Sequence, residues 1–352
     1  MINNIHIEKV KPLISPRELK DKYPTTAQTD ELVAKTREEV KRILKREDDR
    51  LIAIVGPCSI HDRKAALEYA GRLRQLSEKV DDRFLLIMRV YFEKPRTTIG
   101  WRGLILDPDM DGSDDIAKGL EIARSLLQEI SAMGVPTGSE MLDPIVPQYI
   151  SDFLSWAAIG ARTTESQVHR SLASGLSMPV GFKNGTSGSL QLAVNAMKTS
   201  MYPASFIGID QDGRTSIFRT SGNDATHIIL RGGDNGPNYY EEDVEEAVEL
   251  MKKSEVYSSL IIDCSHANSG KKFTRQRRVF RSVIDQIIYG QKNVAGVMME
   301  SNLFEGNQKI PDDISLLKYG VSITDACIGW DETEELIISA AEQLREKRGV
   351  TK

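Results

Sequence analysis

Cysteine is scarce, with three residues (Cys58, Cys264 and Cys327) in a chain of 352. So sparse and odd a set argues against a secreted disulfide framework and makes a reducing cytoplasm the default compartment. No apolar run approaches the ~18 residues that mark a membrane span. The opening MINNIHIEKV lacks the apolar core of a secretory signal. An excess of basic charge is also missing. Forty-six Lys and Arg stand against 51 Asp and Glu, for a net charge of −5, so the overall basic field of a nucleic-acid binder is absent. The sequence has no GxGxxG after its first predicted strand, no GxxxxGK[ST] and no HExxH. No Ser-His-Asp set falls at the predicted strand ends, and there is no low-complexity tract or short tandem repeat.

What is present is enough apolar residue (40%) and charge (28%) for a folded globular chain. At ~150 residues per domain this length suggests about two domains, although α/β barrels of about 250 residues fold as one. The first 50 residues read differently from the rest. Residues 1–28 are polar with scattered apolar positions. A helix is predicted over 29–47 from the spacing of Leu32, Val33, Val40, Ile43 and Leu44, with Thr29 as its N-cap. This segment is taken as an N-terminal arm and helix, 1–50, and residues 51–352 as the catalytic unit.

From residue 51, β-branched and apolar runs alternate with amphipathic stretches. Strands are predicted at 51–57, 84–90, 135–140, 156–161, 179–183, 226–231, 259–264 and 294–300. Helical patterns fall at 64–79, 115–133, 188–200, 241–253, 273–290 and 332–347. Several strands are apolar without alternation, as suits parallel strands covered on both faces. Eight such units predict a (β/α)8 TIM barrel, with a doubly wound open sheet as the alternative. One segment breaks the rhythm. SFIGI (205–209) and RTSIF (214–218) flank a Gly-containing turn and predict a β-hairpin inserted into the barrel.

Active sites of such barrels collect at the carboxyl ends of the strands. Those ends carry Cys58, Arg89, Glu140, Arg162, Lys183, Arg231, His266 and Glu300. Cys58, His266 and Glu300, with Asp325 from the later SITDACIGW stretch, form a mixed S, N and O donor set that suits a borderline divalent transition metal. Cys264 is read as a small core residue. Arg89, Lys94, Arg96, Arg162, Lys183 and Arg231 are cations in strand-end loops, more than one phosphate needs, and imply anionic ligands. Metal-assisted addition to the carbonyl of a phosphorylated small molecule fits these parts. The residues alone do not name the substrate.

The stretches GPCSIHD, RVYFEKPRTTIGWRGL, IGARTTESQVHR, PVGFKNGT, HIILRGG, DCSHANS, ESNLFEGNQ and YGVSITDACIGW together resemble the type I 3-deoxy-D-arabino-heptulosonate 7-phosphate (DAHP) synthases, across almost the whole chain. The resemblance implies condensation of phosphoenolpyruvate with D-erythrose 4-phosphate, releasing phosphate, as the first committed step of the shikimate pathway. It implies one divalent ion per subunit (Mn, Fe, Co or Zn) on Cys58, His266, Glu300 and Asp325. It implies phosphoenolpyruvate contacts from Arg89, Lys94, Arg162, Lys183 and Arg231, and erythrose 4-phosphate contacts from Arg96, Thr97 and Asp325. Glu140 is the candidate to orient or deprotonate the attacking water, and Lys94 the candidate proton donor to the new alkoxide.

The same resemblance implies a Cys58–Cys327 disulfide in oxidised, metal-free protein. It implies assembly into a homodimer or homotetramer. It also implies an aromatic amino acid effector bound at Gln148, Ser177 and Gly208. Family members answering to phenylalanine usually carry Ser at the last position and those answering to tyrosine carry Gly, so tyrosine is expected. Gly208 serving only the hairpin turn is the plainer alternative. One departure stands out. The loop after RGG reads DNGPNYY, with Asp234 and Asn235 where the family usually has Lys. Two rivals remain: a synthase using another aldose phosphate, such as arabinose 5-phosphate, and a non-catalytic aromatic amino acid sensor.

Overall fold

The computed structural model describes residues 2–96 and 98–350. Eight strands form a closed parallel barrel, with an inserted hairpin outside it. Two helices come first, α1 (Pro16–Lys22) and α2 (Ala27–Leu44). Then follow β1 (Leu51–Gly56), α3 (Arg63–Val80), β2 (Phe84–Arg89), α4 (Ile116–Ala132), β3 (Thr137–Glu140), α5 (Pro147–Ile150), β4 (Leu154–Ile159), α6 (Gln167–Ala173), β5 (Val180–Lys183) and α7 (Leu190–Ser200). The hairpin is β6 (Ser205–Ile209) with β7 (Thr215–Arg219). The barrel resumes with β8 (Thr226–Leu230), α8 (Glu241–Lys253), β9 (Leu260–Asp263), α9 (Gln276–Ile288), β10 (Val294–Glu300) and α10 (Trp330–Val350). Around the barrel the order is β1-β10-β9-β8-β5-β4-β3-β2, the TIM barrel expected and not the open sheet.

Every barrel strand is buried along its length, which is why several of the strands read as continuous apolar runs. Successive side chains separate into two cores. Ala53, Val55, Leu86 and Met88 pack outward among the helices, whereas Ile52, Ile54, Leu85, Ile87, Trp156, Ile229 and Ile261 fill the barrel. Val40, Ile43 and Leu44 of α2 belong to that inner cluster. The helix before the barrel therefore plugs its amino-terminal end. Arg37 fixes it there by donating to the main-chain oxygens of Ser151 and Leu154.

The N-cap of α2 is Thr26 and not the expected Thr29. Thr26 has the extended backbone of a cap, and Thr29 lies at the third helical position, where the two threonines exchange side-chain-to-main-chain hydrogen bonds. Three short helices, α1, α5 and α6, have too few turns to show helical periodicity. β4 begins two residues before the stretch read as strand. No described helix is long and apolar enough to cross a membrane.

Candidate active site

The carboxyl ends of β1 and β10 lie side by side, with Gly56 paired to Glu300. Gly56 has φ +154, and a Cβ there would stand 2.7 Å from the Arg89 carbonyl oxygen. Only glycine lets the chain turn this closely past β2 to deliver Cys58. The main chain at Ile328 donates to the Glu300 carbonyl oxygen (3.0 Å), and a bridge joins Ser301 to Ile328. The SITDACIGW segment is thereby laid along the end of β10. Ser59 and Thr324, each adjacent to a donor residue, share a 2.7 Å hydroxyl contact.

The donor atoms of Cys58, Glu300 and Asp325 lie within 4.8 Å of one another, with Cys58 Sγ 3.7 Å from Asp325 Oδ2. His266, expected as the fourth donor, stands just outside that trio, its Nε2 3.9 Å from Glu300 Oε1. Its other ring nitrogen is held 2.9 Å from Asp263 Oδ2. A thiol, two carboxylates and an adjacent imidazole are a donor set that fits a borderline divalent ion. Burial pushes the Cys58 thiol up to about 11, Glu300 adds to this, and Lys94 opposes it. Burial also works against ionisation of Asp325, but Lys94 and then His266 outweigh it and hold its carboxyl below the ordinary value.

Cations surround the donors. Arg89 is buried beside Glu300 (Nη2 to Oε1, 2.9 Å) and donates to the Pro57 carbonyl oxygen. Lys94 Nζ reaches Cys58 Sγ at 3.1 Å. Lys183 Nζ lies 3.4 Å from Asp263 Oδ2. These three cations face one ring. Tyr91 is 3.6 Å below the Arg89 guanidinium, 5.9 Å from Lys94 and 5.8 Å from Lys183. Burial of Arg231 lowers its pKa, and Arg162 lowers it further, while Asp263 and Asp234 act in the opposite sense. Positive groups gathered in this way make the local field favourable to an anion.

Arg162 lies in the turn beyond β4 and is exposed, so it is a loop residue and not a strand terminus. Arg96 is exposed and donates to the Trp101 carbonyl oxygen. Thr97 lies outside the described residues. Glu140 ends β3 and is buried. Gly160 makes room for it, since a Cβ there would meet Glu140 Oε1 at 2.3 Å. The Asp234–Asn235 departure forms a tight turn closed by reciprocal Gly233–Gly236 main-chain bonds, and Asp234 N donates to Thr186 O. The β8 loop is thus pinned to the β5 loop at the mouth.

Of the effector candidates, Gln148 lies on α5 and accepts from Gln211 in the hairpin turn (3.0 Å). Gly208 is in mid-strand opposite Ser216. The turn itself relies on Gly213, at φ +78, so Gly208 is not a turn glycine. Ser177 is exposed in the segment before β5.

Three buried groups of the basin escaped the sequence reading. β9, the seventh barrel strand, ends at Asp263 and not at Cys264, which puts the carboxylate of Asp263 at the strand terminus. Tyr91 and Glu93 are the other two, both buried in the loop after β2. The alternation after Arg89 was the available signal, since it turns Tyr91 to the inner cluster.

The model of the DAHP synthetase I family matches residues 24–337. The chain is 51% identical over 336 residues to the Escherichia coli Tyr-sensitive phospho-2-dehydro-3-deoxyheptonate aldolase, covering 96% of this chain and 94% of that one. It is 50% identical to the Phe-sensitive enzyme of the same organism, covering 99% of both chains. The solved phospho-2-dehydro-3-deoxyheptonate aldolase of Francisella tularensis superposes with a TM-score of 0.94 at 47% identity, covering 97% of this chain and 99% of the other.

Proposed function

The chain belongs to the DAHP synthetase I family, and on that footing we propose that its barrel mouth condenses phosphoenolpyruvate with D-erythrose 4-phosphate to 3-deoxy-D-arabino-heptulosonate 7-phosphate and phosphate. This is the first step of aromatic amino acid biosynthesis. The observation that carries the reading is the Cys58–Glu300–Asp325 donor group set directly against Arg89 and Lys94. An anionic substrate and a divalent ion would meet there.

Cys58, His266, Glu300 and Asp325 would hold the ion, one per subunit and drawn from Mn, Fe, Co or Zn. When bound, it supplies Lewis acidity toward the aldehyde oxygen. Arg89, Lys94, Arg162, Lys183 and Arg231 bind phosphoenolpyruvate, whose carboxylate and phosphate call for several cations. Arg96 and Thr97 take the phosphate of the sugar, with Asp325 near its other end. The enol carbon attacks the aldehyde, and Lys94 gives a proton to the alkoxide that forms. Water adds to the cationic neighbouring carbon, with Glu140 orienting it and accepting its proton. Phosphate then leaves by C–O cleavage.

The protein acts in the cytoplasm as a homodimer or homotetramer. The segment before residue 51 and the 205–219 hairpin serve subunit contact and regulation. Tyrosine is the effector, at Gln148, Ser177 and Gly208. Identities of 51% to a Tyr-sensitive and 50% to a Phe-sensitive relative do not separate the two, so this choice rests on Gly208. A phosphate-release assay with divalent metal, offering erythrose 4-phosphate or arabinose 5-phosphate and weighing the product, tests the activity. Turnover only with arabinose 5-phosphate, or none with either sugar, would refute it.

A further inference from the structure

Asp263 has no role in the reaction proposed above, yet it is one of the most enclosed charges of the basin, 1% exposed at the end of β9. Its Oδ1 accepts from Ser265 twice, from the main-chain N at 3.0 Å and from Oγ at 2.6 Å. Those bonds fix the carboxylate plane and leave Oδ2 facing two cation-forming groups on different loops. His266 Nδ1 stands 2.9 Å away and Lys183 Nζ 3.4 Å away. Ser265 Oγ is also 2.6 Å from the same imidazole nitrogen. His266 reaches this position with φ +53, a conformation that a non-glycine residue adopts only when its surroundings hold it there. A buried carboxylate is costly to retain unless its charge is compensated. Oδ2 accepts no hydrogen bond from the described residues, so its compensation is electrostatic and comes from His266 and Lys183, in the two halves of the site.

We propose that Asp263 is a positioning residue that couples the metal end of the basin to its phosphoenolpyruvate end, through one carboxylate oxygen shared by His266 and Lys183. The inference rests on the metal and phosphoenolpyruvate assignments above. With Nδ1 turned to Oδ2, the ring presents Nε2 on its other side, 3.9 Å from Glu300 Oε1. A carboxylate behind a ligating histidine fixes the ring and raises its donor strength. Lys183 draws on the same oxygen. An anion arriving on Lys183 loosens that draw and leaves more of the carboxylate's charge to His266. Phosphoenolpyruvate therefore tightens metal binding, and by linkage metal tightens phosphoenolpyruvate by the same factor.

The test is a Co²⁺ titration of the metal-free full-length protein, followed by the thiolate-to-metal absorption, with and without phosphoenolpyruvate. In the wild type, phosphoenolpyruvate should lower the Kd for Co²⁺. Asp263→Asn should raise that Kd about tenfold or more and abolish the phosphoenolpyruvate-dependent tightening, with KM for phosphoenolpyruvate rising more than KM for erythrose 4-phosphate. If Asp263→Asn does not fold, Ser265→Ala, which removes one of the two bonds fixing the carboxylate, should show both changes in smaller degree. An Asn variant with wild-type Kd, or one that binds Co²⁺ weakly but keeps the full tightening, overturns the coupling. A wild type that binds no Co²⁺ overturns the metal assignment along with it.

Discussion

Lys94 Nζ lies 3.1 Å from Cys58 Sγ and 3.2 Å from the Cys58 carbonyl oxygen. The ammonium thus sits on the sulfur of the donor group, and it only partly offsets the burial and the Glu300 charge that push the thiol up to about 11. Metal binding must therefore expel the thiol proton. We expect uptake of Co²⁺ or Mn²⁺ near neutral pH to release about one proton from this site, read as a buffer-dependent enthalpy, and affinity to rise with pH. Chelation should abolish phosphate release, and Mn²⁺, Fe²⁺ or Co²⁺ should restore it. Full turnover by metal-free protein would contradict the assignment.

The same sulfur sets the reactivity of the metal-free protein. The metal-free thiol is buried, and that burial raises its pKa. Its alkylation should be slow at neutral pH and accelerate as pH rises toward 11. Prolonged aerobic ageing of the metal-free protein should still yield the Cys58–Cys327 pair, identified by peptide mapping. A Cys58–Cys264 bond would be the contrary outcome.

Arg162→Ala and Lys183→Ala should each weaken phosphoenolpyruvate more than erythrose 4-phosphate, and Arg96→Ala the reverse. Loss of a charge-assisted contact costs about 1.5–3 kcal/mol, or about tenfold or more in apparent affinity. Steady-state KM values for both substrates decide it, and equal effects from all three changes would argue against two separate anion sites.

The proposed role of Gly208 in effector choice has a steric basis. A Cβ there would stand 3.1 Å from the Phe218 ring, which stacks on Phe206 at 5.4 Å. Gly208→Ser would thus push on an aromatic pair as well as fill space. Tyrosine should inhibit the wild type better than phenylalanine or tryptophan, and Gly208→Ser should shift preference toward phenylalanine. Inhibitor titrations of both proteins test this. A wild type indifferent to all three amino acids would remove the regulatory reading.

Glu93 provides a pH signature of folding. Burial first, then Asp143, pushes its carboxyl up to about 8 from an ordinary 4.5, against hydrogen bonds from the Asp143 and Leu142 main chain. The folded state therefore binds a proton that the unfolded chain has released. Its contribution is fully present below pH ~4.5 and is lost as pH rises through ~8, a decline on the order of a few kcal/mol. Denaturant unfolding from pH 5 to 8 should show this slope, and Glu93→Gln should flatten it. A Gln variant with the wild-type slope would refute the assignment.

Local pattern was enough for the barrel. Several of the eight runs are continuously apolar, as strands covered on both faces are, and the hairpin announced itself by a Gly turn between β-branched runs. The polar residues that follow those runs, Cys58, Lys183, Arg231 and Glu300 among them, were legible because the fold itself sends strand ends to one mouth. Other features depended on distances between segments remote in sequence. Nothing local marks α2 as the plug of the barrel floor, since Val40, Ile43 and Leu44 would read the same on any packing helix. Nothing local marks Asp263, whose meaning comes from Lys183 eighty residues earlier and from the strained turn that folds His266 back onto it. Periodicity encodes which face of an element is buried, but which charges share a carboxylate is decided only when the closed sheet brings β5 and β9 to the same rim.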